Sequence, residues 1–360
     1  MLKIPELLEF YRGLLTEQVV PSLTATASVA KDPCSQWGAL WTFSKLYNRI
    51  ERRPEWLDKA RQIAQACSPD VAKGMTTEEQ RPGNVYVDAL AIYALTEFAR
   101  ATNNTPAIDL AVNLAERAIS RLESPTDALA GWPEPVPTDC KVHSLPMRLA
   151  LSMWELGQHI DNERYRRVAL QMQQEVFTCF YRKGRDLVLE RMSLDNTECL
   201  SPLGTVVLPG RVIEDMAFQI HIGRDRHDRR LTPKACDMIL RHLELGWDAQ
   251  QSGLFLAIDA DRAAEPDWPA AKSKCLRDHV NALYATLLTY EYTGEKATME
   301  WHETVRQYCL EHFAISNASR SEINNANGET NTPICEDESF HRSRAIIYCI
   351  DTLERLVEFI

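Results

Sequence analysis

Three short segments combine the residue types that acid–base catalysis and anion binding use: PGRVIED (209–215), RDHVN (277–281) and FHRSR (340–344). Histidine titrates near neutrality and can act as a general acid or base without special tuning. His341 and His279 are therefore candidates for proton transfer. Arginine keeps its charge and binds carboxylate or phosphate through paired hydrogen bonds, so the arginines are candidates for ligand binding.

Each candidate also has an ordinary structural interpretation. A histidine at a helix start often caps or packs, and Glu214 suits a solvated helix face. The arginines would then pair with nearby acids. Cys275, four residues before His279, is weak evidence for a nucleophile pair. The acidic and histidine-rich turn HIGRDRHDRR (221–230) matches no standard metal spacing, so we predict no metal site.

Composition limits the class of protein. The chain has 360 residues, of which 45% are hydrophobic and 25% charged, which is ordinary for a globular fold. Its formal charge of -11 argues against chain-wide attraction to nucleic acid or to anionic membrane. The ten cysteines contain no CxxC pair, which favours reduced thiols. The N-terminal segment carries acids where a signal peptide is apolar, so we expect a cytoplasmic protein.

The elements that must position these residues are helices. Apolar residues recur at helical spacing in about twelve segments, at 4–18, 36–50, 55–68, 86–102, 106–122, 143–158, 163–178, 210–224, 232–246, 276–293, 297–313 and 338–358. The segments come in pairs joined by short polar turns, which Pro54, Pro106 and Gly294 punctuate.

A short link between helices makes them antiparallel neighbours, and a single helical hairpin cannot bury its own apolar face. About six hairpins therefore predict one all-α domain over residues 1–360, closed as an (α/α)6 toroid. A superhelical solenoid is the structural alternative. Two β-like runs, DLVLER (186–191) and SGLFLAID (252–259), predict small hairpins at one mouth of the toroid.

Several segments, taken in order over residues 36–355, resemble the N-acylglucosamine 2-epimerase family. They are WTFSKLYNRIERRPEWL, YVDALAIYALTEFARAT, LPMRLALSMWEL, VVLPGRVIEDMAF, GWDAQQSGLFLAID, HVNALYATLLTYEYTGE and FHRSRAI. The resemblance implies an (α/α)6 fold. It also implies a reaction in which a proton beside the carbonyl of an open-chain sugar is removed and returned elsewhere or on the other face.

The resemblance implies roles for individual residues. His341 falls on one of two family histidines, Arg344 on the arginine that follows it, and Glu214 on a family acid. Other positions depart from the family pattern. Arg211 stands in place of the second histidine and cannot act as a base. Gly38 stands in place of a family arginine, and Asn281 in place of a family glutamate. Leu276 and Arg277 replace a pair of tryptophans, and Arg148 replaces a histidine.

These departures argue against two-base epimerisation but still permit one base, His341 or His279, to move a proton along one face in an aldose–ketose isomerisation. We expect His341 to be the general acid/base, with His279 as its partner and Glu214 as a further catalytic residue. On the resemblance, Arg148, Arg211, Arg277 and Arg344 approach one mouth and suggest an anionic sugar-like substrate. The alternative is that each arginine pairs with an acid. We also expect Asn281, Asp88 and Trp37 to contact the substrate, the last through its ring.

We therefore predict a divergent epimerase or isomerase that acts on a small molecule. The alternatives are a lyase, hydrolase, dehydratase or cyclase on the same scaffold, or a non-catalytic ligand-binding protein. No phosphate-binding glycine loop or dinucleotide fingerprint occurs, so we expect no organic cofactor. The sequence leaves open whether the chain forms a homodimer.

Overall fold

The computed structural model describes residues 3–27, 32–72, 84–134, 136–313 and 338–358. The helices are α1 (Ile4–Leu14), α2 (Val20–Ala27), α3 (Pro33–Lys45), α4 (Pro54–Ala72), α5 (Val85–Thr102), α6 (Thr105–Arg121), α7 (Pro125–Ala128), α8 (Ser144–His159), α9 (Glu163–Glu175), α10 (Pro209–Asp225), α11 (Leu231–Gly246), α12 (Leu276–Thr293), α13 (Lys296–His312) and α14 (Glu338–Glu358). The periodicity thus located twelve of these fourteen helices to within a few residues, whereas α2 and α7 lie outside the predicted segments.

Local signals explain where the helices begin and end. Asn104 caps α6 by accepting a hydrogen bond from the Ala107 amide, and Pro106 lies in the first turn, where its missing N–H costs nothing. Pro54 is the first residue of α4. Gly294 ends α12 with φ of 64°, a left-handed conformation that glycine adopts without a steric penalty.

The helices group into two compact units. The first comprises residues 1–25, 181–190 and 200–360, and in it α10 packs on α11, α12 on α13, and α14 on α1. The second comprises residues 26–180 and 191–199, and in it α3 packs on α4, α5 on α6, and α8 on α9. Each unit therefore holds three helical pairs. That the chain forms a single domain stays a prediction.

Within each pair one helix is buried on almost every side. In α12 every residue from Leu276 to Thr289 is buried, whereas its partner α13 buries only one face. In the first unit the buried helices α10, α12 and α14 pack side by side. In the second unit α5 packs against both α3 and α8. These buried helices carry most of the candidate residues.

Short antiparallel strand pairs accompany the helices. The strands are β1 (Cys140–Val142), β2 (Tyr181–Arg182), β3 (Leu187–Val188), β4 (Arg191–Ser193), β5 (Val206–Val207) and β6 (Ile258–Asp259). β2 and β3 form the local hairpin predicted at DLVLER. The SGLFLAID run instead sends β6 to pair with β5, which lies about fifty residues earlier, and only Trp247 and Leu254 bridge locally.

Two further features bear on function. In the described part of the chain, none of the helices is both long enough and apolar enough to cross a membrane. None of the cysteines in that part forms a disulfide.

Candidate active site

Three helix N-termini meet in the first unit. The first two turns of α10, α12 and α14 carry buried charged and polar side chains: Arg211, Glu214, Arg277, Asp278, Asn281, His341 and Arg344. Gly210 allows α10 and α12 to approach closely here, since a Cβ at this position would overlap the side chain of Asp278. Helix N-termini carry partial positive charge, which favours an anion or a developing oxyanion beside them.

A buried ion pair links α10 to α14. The Arg344 guanidinium donates a hydrogen bond from Nη2 to Glu214 Oε1, and both side chains are buried. The same Nη2 donates to Asn281 Oδ1 on α12 at 3.1 Å. The rings of Phe218 and Phe340 each lie 5.0 Å from the Arg344 guanidinium carbon and shield it from water. One arginine therefore ties three helices together.

His341 lies against this ion pair. Its Nδ1 is 3.2 Å from Arg344 Nη2 and 3.5 Å from Glu214 Oε1. Either tautomer fits these distances: Nδ1 can accept from Arg344, or it can carry the proton, point it toward Glu214 Oε1 and leave the Nε2 lone pair available to act as a base. If the ring gains a second proton, the Glu214 carboxylate lies close enough to compensate it. With Nδ1–H directed at Glu214, Nε2 is the ring nitrogen that could exchange a proton with a ligand.

The other arginines of this unit also face carboxylates. Arg211 Nη1 lies 3.5 Å from Glu190 Oε1, and its guanidinium lies 5.6 Å from the Trp268 ring. Arg277 donates from Nε to Asp278 Oδ1 at 3.0 Å. Arg211, Arg277 and Arg344 thus each lie beside a carboxylate, as the alternative interpretation of the arginines expects.

His279 is fully buried beside the backbone. Its Nε2 accepts from the Leu254 amide at 2.8 Å, and its Nδ1 donates to the Cys275 carbonyl at 2.7 Å. Burial lowers the pKa of His279 to about 4. The ring also stacks on Tyr308 at 4.7 Å. Both nitrogens are thus occupied by main-chain groups, and the ring holds the loop at Leu254 onto the start of α12.

Three candidates lie in the second unit. Trp37 is buried in α3. Asp88, buried in α5, accepts hydrogen bonds on both carboxylate oxygens from Arg117 of α6. Arg148 of α8 lies 4.0 Å from the centre of the Tyr86 ring, which is a cation–π contact.

Both units also contain buried residues that the sequence did not indicate as candidates. Glu190, the partner of Arg211, follows β3 in a run that signals only a strand. Phe218 and Phe340 read as ordinary core residues. His143 is fully buried at the start of α8, where its ring packs edge-on against Phe180. The sequence carries no signal for the contacts of Glu190, Phe218 and His143, because each joins segments that are distant along the chain, whereas Phe340 lies four residues before Arg344 in α14.

The acidic and histidine-rich turn after α10 has a structural role. Asp228 Oδ1 accepts from the backbone amides of Arg230 and Leu231 and so shapes the turn into α11. His221 hydrogen-bonds Tyr284. In the ranges that the structure describes, no three His, Cys, Asp or Glu side chains are grouped as metal ligands.

Comparison with known proteins decides the family. The model of the family described as N-acylglucosamine 2-epimerase (GlcNAc 2-epimerase) matches residues 36–327. The chain belongs to the N-acylglucosamine 2-epimerase family. The N-acylglucosamine 2-epimerase of Bos taurus is 25% identical over 295 residues, which are 76% of this chain and 68% of the bovine protein.

Solved structures share the fold. The cellobiose 2-epimerase of Spirochaeta thermophila superposes with a TM-score of 0.78 over 98% of each chain, at 14% identity. The cellobiose 2-epimerase of Bacillus thermoamylovorans superposes with a TM-score of 0.77 over 97% of this chain and 99% of its own, at 15% identity. These likenesses confirm the predicted fold class, an all-α (α/α)6 fold.

Proposed function

We propose that this chain is a sugar isomerase or epimerase that moves a proton beside the carbonyl of an open-chain sugar, with His341 as the general acid/base. The buried contact of His341 with both Glu214 and Arg344 carries the proposal. Membership of the N-acylglucosamine 2-epimerase family supports the reaction type. Catalysis at carbon beside a carbonyl requires a base and a group that stabilises the enediolate oxygen.

The Glu214 and Arg344 pair supplies the electrostatic part of this chemistry. Glu214 compensates the imidazolium after His341 takes a proton from carbon. Arg344 holds Glu214 in place, and the positive ends of α10, α12 and α14 would favour the negative charge that develops on the substrate oxygen. Because both charges are buried and fixed in advance, they need no reorganisation during the reaction.

One base is the simplest reading of the site. Arg211 is permanently charged and cannot accept a proton from carbon. His279 has both ring nitrogens engaged by the backbone, so we propose that it is structural. A single base at His341 removes a proton from C2 of an aldose to give an enediolate and returns it to C1, while a proton moves from O2 to O1, which yields the ketose. We therefore favour aldose–ketose isomerisation over two-base epimerisation.

The substrate we propose is an uncharged sugar. Arg211, Arg277 and Arg344 each face a carboxylate, so their charge is already balanced inside the protein. An anionic group would have to compete with Glu190, Asp278 or Glu214 for them.

The second unit supplies further proposals. We propose that the Tyr86 ring beside Arg148 and, separately, the Trp37 ring contact sugar faces. Asp88 has both oxygens bonded to Arg117, so we propose that it joins α5 to α6 instead of binding substrate.

The experiment compares wild type with His341→Asn. The asparagine Oδ1 takes the place of Nδ1 and can still accept from Arg344, so folding should survive while proton transfer is lost. Both proteins are incubated with mannose, N-acetylglucosamine, glucose 6-phosphate and glucuronate, and products are followed by NMR. We expect turnover of a neutral sugar by wild type only. Equal turnover by a folded His341→Asn protein would refute the assignment, and turnover of only the charged sugars would refute the uncharged substrate.

A second candidate keeps the fold but changes the reaction, for example to a lyase or dehydratase. The observation that favours it is Arg211, held by Glu190 where the family resemblance implies a histidine. Loss of water or breakage of a carbon–oxygen bond in the same NMR assay would identify such a reaction.

A further inference from the structure

The carboxamide of Asn281 uses its acceptor and leaves its donor unused. The side chain is 3% exposed and lies in the second turn of α12. Its Oδ1 accepts from Arg344 Nη2 at 3.1 Å. Its Nδ2 has no hydrogen-bond partner among the residues that the structure describes. A buried donor in this state is uncommon in folded proteins and calls for an explanation.

The orientation of the amide is fixed by its neighbour. Oxygen and nitrogen of a carboxamide are interchangeable in shape, so an amide can be turned around at little steric cost. Here the turned amide would set Nδ2 against the Arg344 guanidinium, which has only donors. The turned amide would also lose the hydrogen bond that Oδ1 accepts from Arg344 Nη2. The unused group is therefore the N–H side of the amide.

The unused donor belongs to the same cluster as His341. Arg344 Nη2 contacts Asn281 Oδ1, Glu214 Oε1 and His341 Nδ1 together. A donor buried without a partner destabilises the folded protein, and a ligand oxygen that accepts from it recovers this loss. Polar groups placed in this way give a binding site its specificity.

We propose that Asn281 Nδ2 donates a hydrogen bond to a carbonyl oxygen of the substrate and thereby selects sugars that present such an oxygen. This inference rests on the proposed function, because it places a sugar beside His341. The carbonyl belongs either to an N-acyl group on the sugar or to the open-chain aldehyde or ketone. Both sources share one chemistry, an oxygen that accepts and does not donate.

The neighbours of Asn281 explain why a carbonyl is preferred to a hydroxyl. A hydroxyl brings a hydrogen that needs an acceptor of its own. The group that contacts the Asn281 amide, the Arg344 guanidinium, offers only donors. A carbonyl oxygen carries no hydrogen to satisfy, so it fits this donor-rich position without leaving a buried group unpaired.

Asn281→Asp tests the proposal because it keeps the shape and the acceptor for Arg344 but removes the donor. Asn281→Leu removes the whole amide without adding charge. The matched control is Asn196→Asp, the same chemical change at an exposed turn residue. All three changes are made in His341→Asn protein, so that sugars are bound and not converted, and thermal unfolding confirms that each variant folds.

Affinities are measured by titration calorimetry with four probes: N-acetylglucosamine, its alditol N-acetylglucosaminitol, glucose and glucitol. Both Asn281 changes should weaken binding of a carbonyl-bearing probe about tenfold, the effect of one lost hydrogen bond. They should leave glucitol, which has no carbonyl, unchanged. Asn196→Asp should change nothing.

The probes distinguish the two sources. If the N-acyl oxygen is the acceptor, N-acetylglucosaminitol is as sensitive to Asn281→Asp as its parent. If the open-chain carbonyl is the acceptor, only the two reducing sugars are sensitive. Equal affinities in the Asn281 variants and their parent, equal losses for all four probes, or no binding of any probe would each overturn the proposal. Turnover by wild type is measured separately, so failure of the proposed reaction is distinguishable from failure of carbonyl selection.

Discussion

Replacing His279 with glutamine separates a structural histidine from a catalytic one. Glutamine Oε1 can take the place of Nε2 and accept from the Leu254 amide, but it cannot also reach the Cys275 carbonyl as Nδ1 does. The variant also loses the ring stack on Tyr308. A lost buried hydrogen bond costs about 1–3 kcal/mol and a ring pair about 0.5–1.5 kcal/mol. We expect His279→Gln to be less stable by about 2–4 kcal/mol at pH 7.

The pH dependence follows from burial. The ordinary pKa of histidine is 6.5, and burial lowers the pKa of His279 to about 4. His279 in the unfolded chain therefore takes up a proton near pH 6.5, whereas in the folded chain it stays neutral down to about pH 4. Stability from the neutral ring is lost as pH falls through this window, and the loss reaches about 2 kcal/mol by pH 5. Glutamine does not titrate. The difference in unfolding free energy between wild type and His279→Gln should therefore be smaller at pH 5 than at pH 7 by about 2 kcal/mol.

Urea unfolding followed by tryptophan fluorescence at pH 7 and pH 5 measures the gap. His302, whose pKa burial also lowers to about 4, is present in both proteins, so its contribution cancels. Turnover of the folded variant should persist, because the assigned proton-transfer group is His341. A gap that does not change with pH, or a folded variant without activity, would refute the structural role of His279.

Two further predictions concern the packing of this unit. Arg344→Met leaves the buried Glu214 carboxylate without its arginine partner and should lower the free energy of unfolding by about 3–5 kcal/mol. The double variant Arg344→Met with Glu214→Gln should recover part of this loss in urea unfolding. Equal losses in the single and double variants would show that the two charges are not coupled. Gly210→Ala forces a Cβ into the side chain of Asp278 and should lower the free energy of unfolding by about 1–3 kcal/mol. In the control Gly13→Ala the new Cβ meets no atom, so stability should rise by up to about 1 kcal/mol. A stabilised Gly210→Ala protein would contradict the close approach of α10 and α12.

Helices were predictable because their signals are local. The apolar spacing of 276–293 and Gly294 at its end define α12 without reference to any other element. The pairing of β5 with β6 was not predictable, because two-residue strands carry little pattern and their partners are distant in sequence.

The candidate site was predictable only in part. Glu214, Asn281 and Arg344 were selected through the family resemblance, and the structure brings them together with His341. No spacing rule shows whether the ring nitrogens of a histidine face a cavity or the backbone, so the environment of His279 emerged only from the fold. Glu190 was missed for the same reason, since its contact with Arg211 is tertiary.

Deuterium uptake from solvent tests the central claim most directly. Wild type and His341→Asn are incubated in heavy water with mannose and with N-acetylglucosamine, and proton NMR follows the hydrogen on carbon beside the carbonyl. The proposed proton transfer predicts deuterium at that carbon with wild type and none above background with His341→Asn. Equal deuterium uptake by both proteins, or equal sugar conversion by both proteins, would contradict proton transfer by His341.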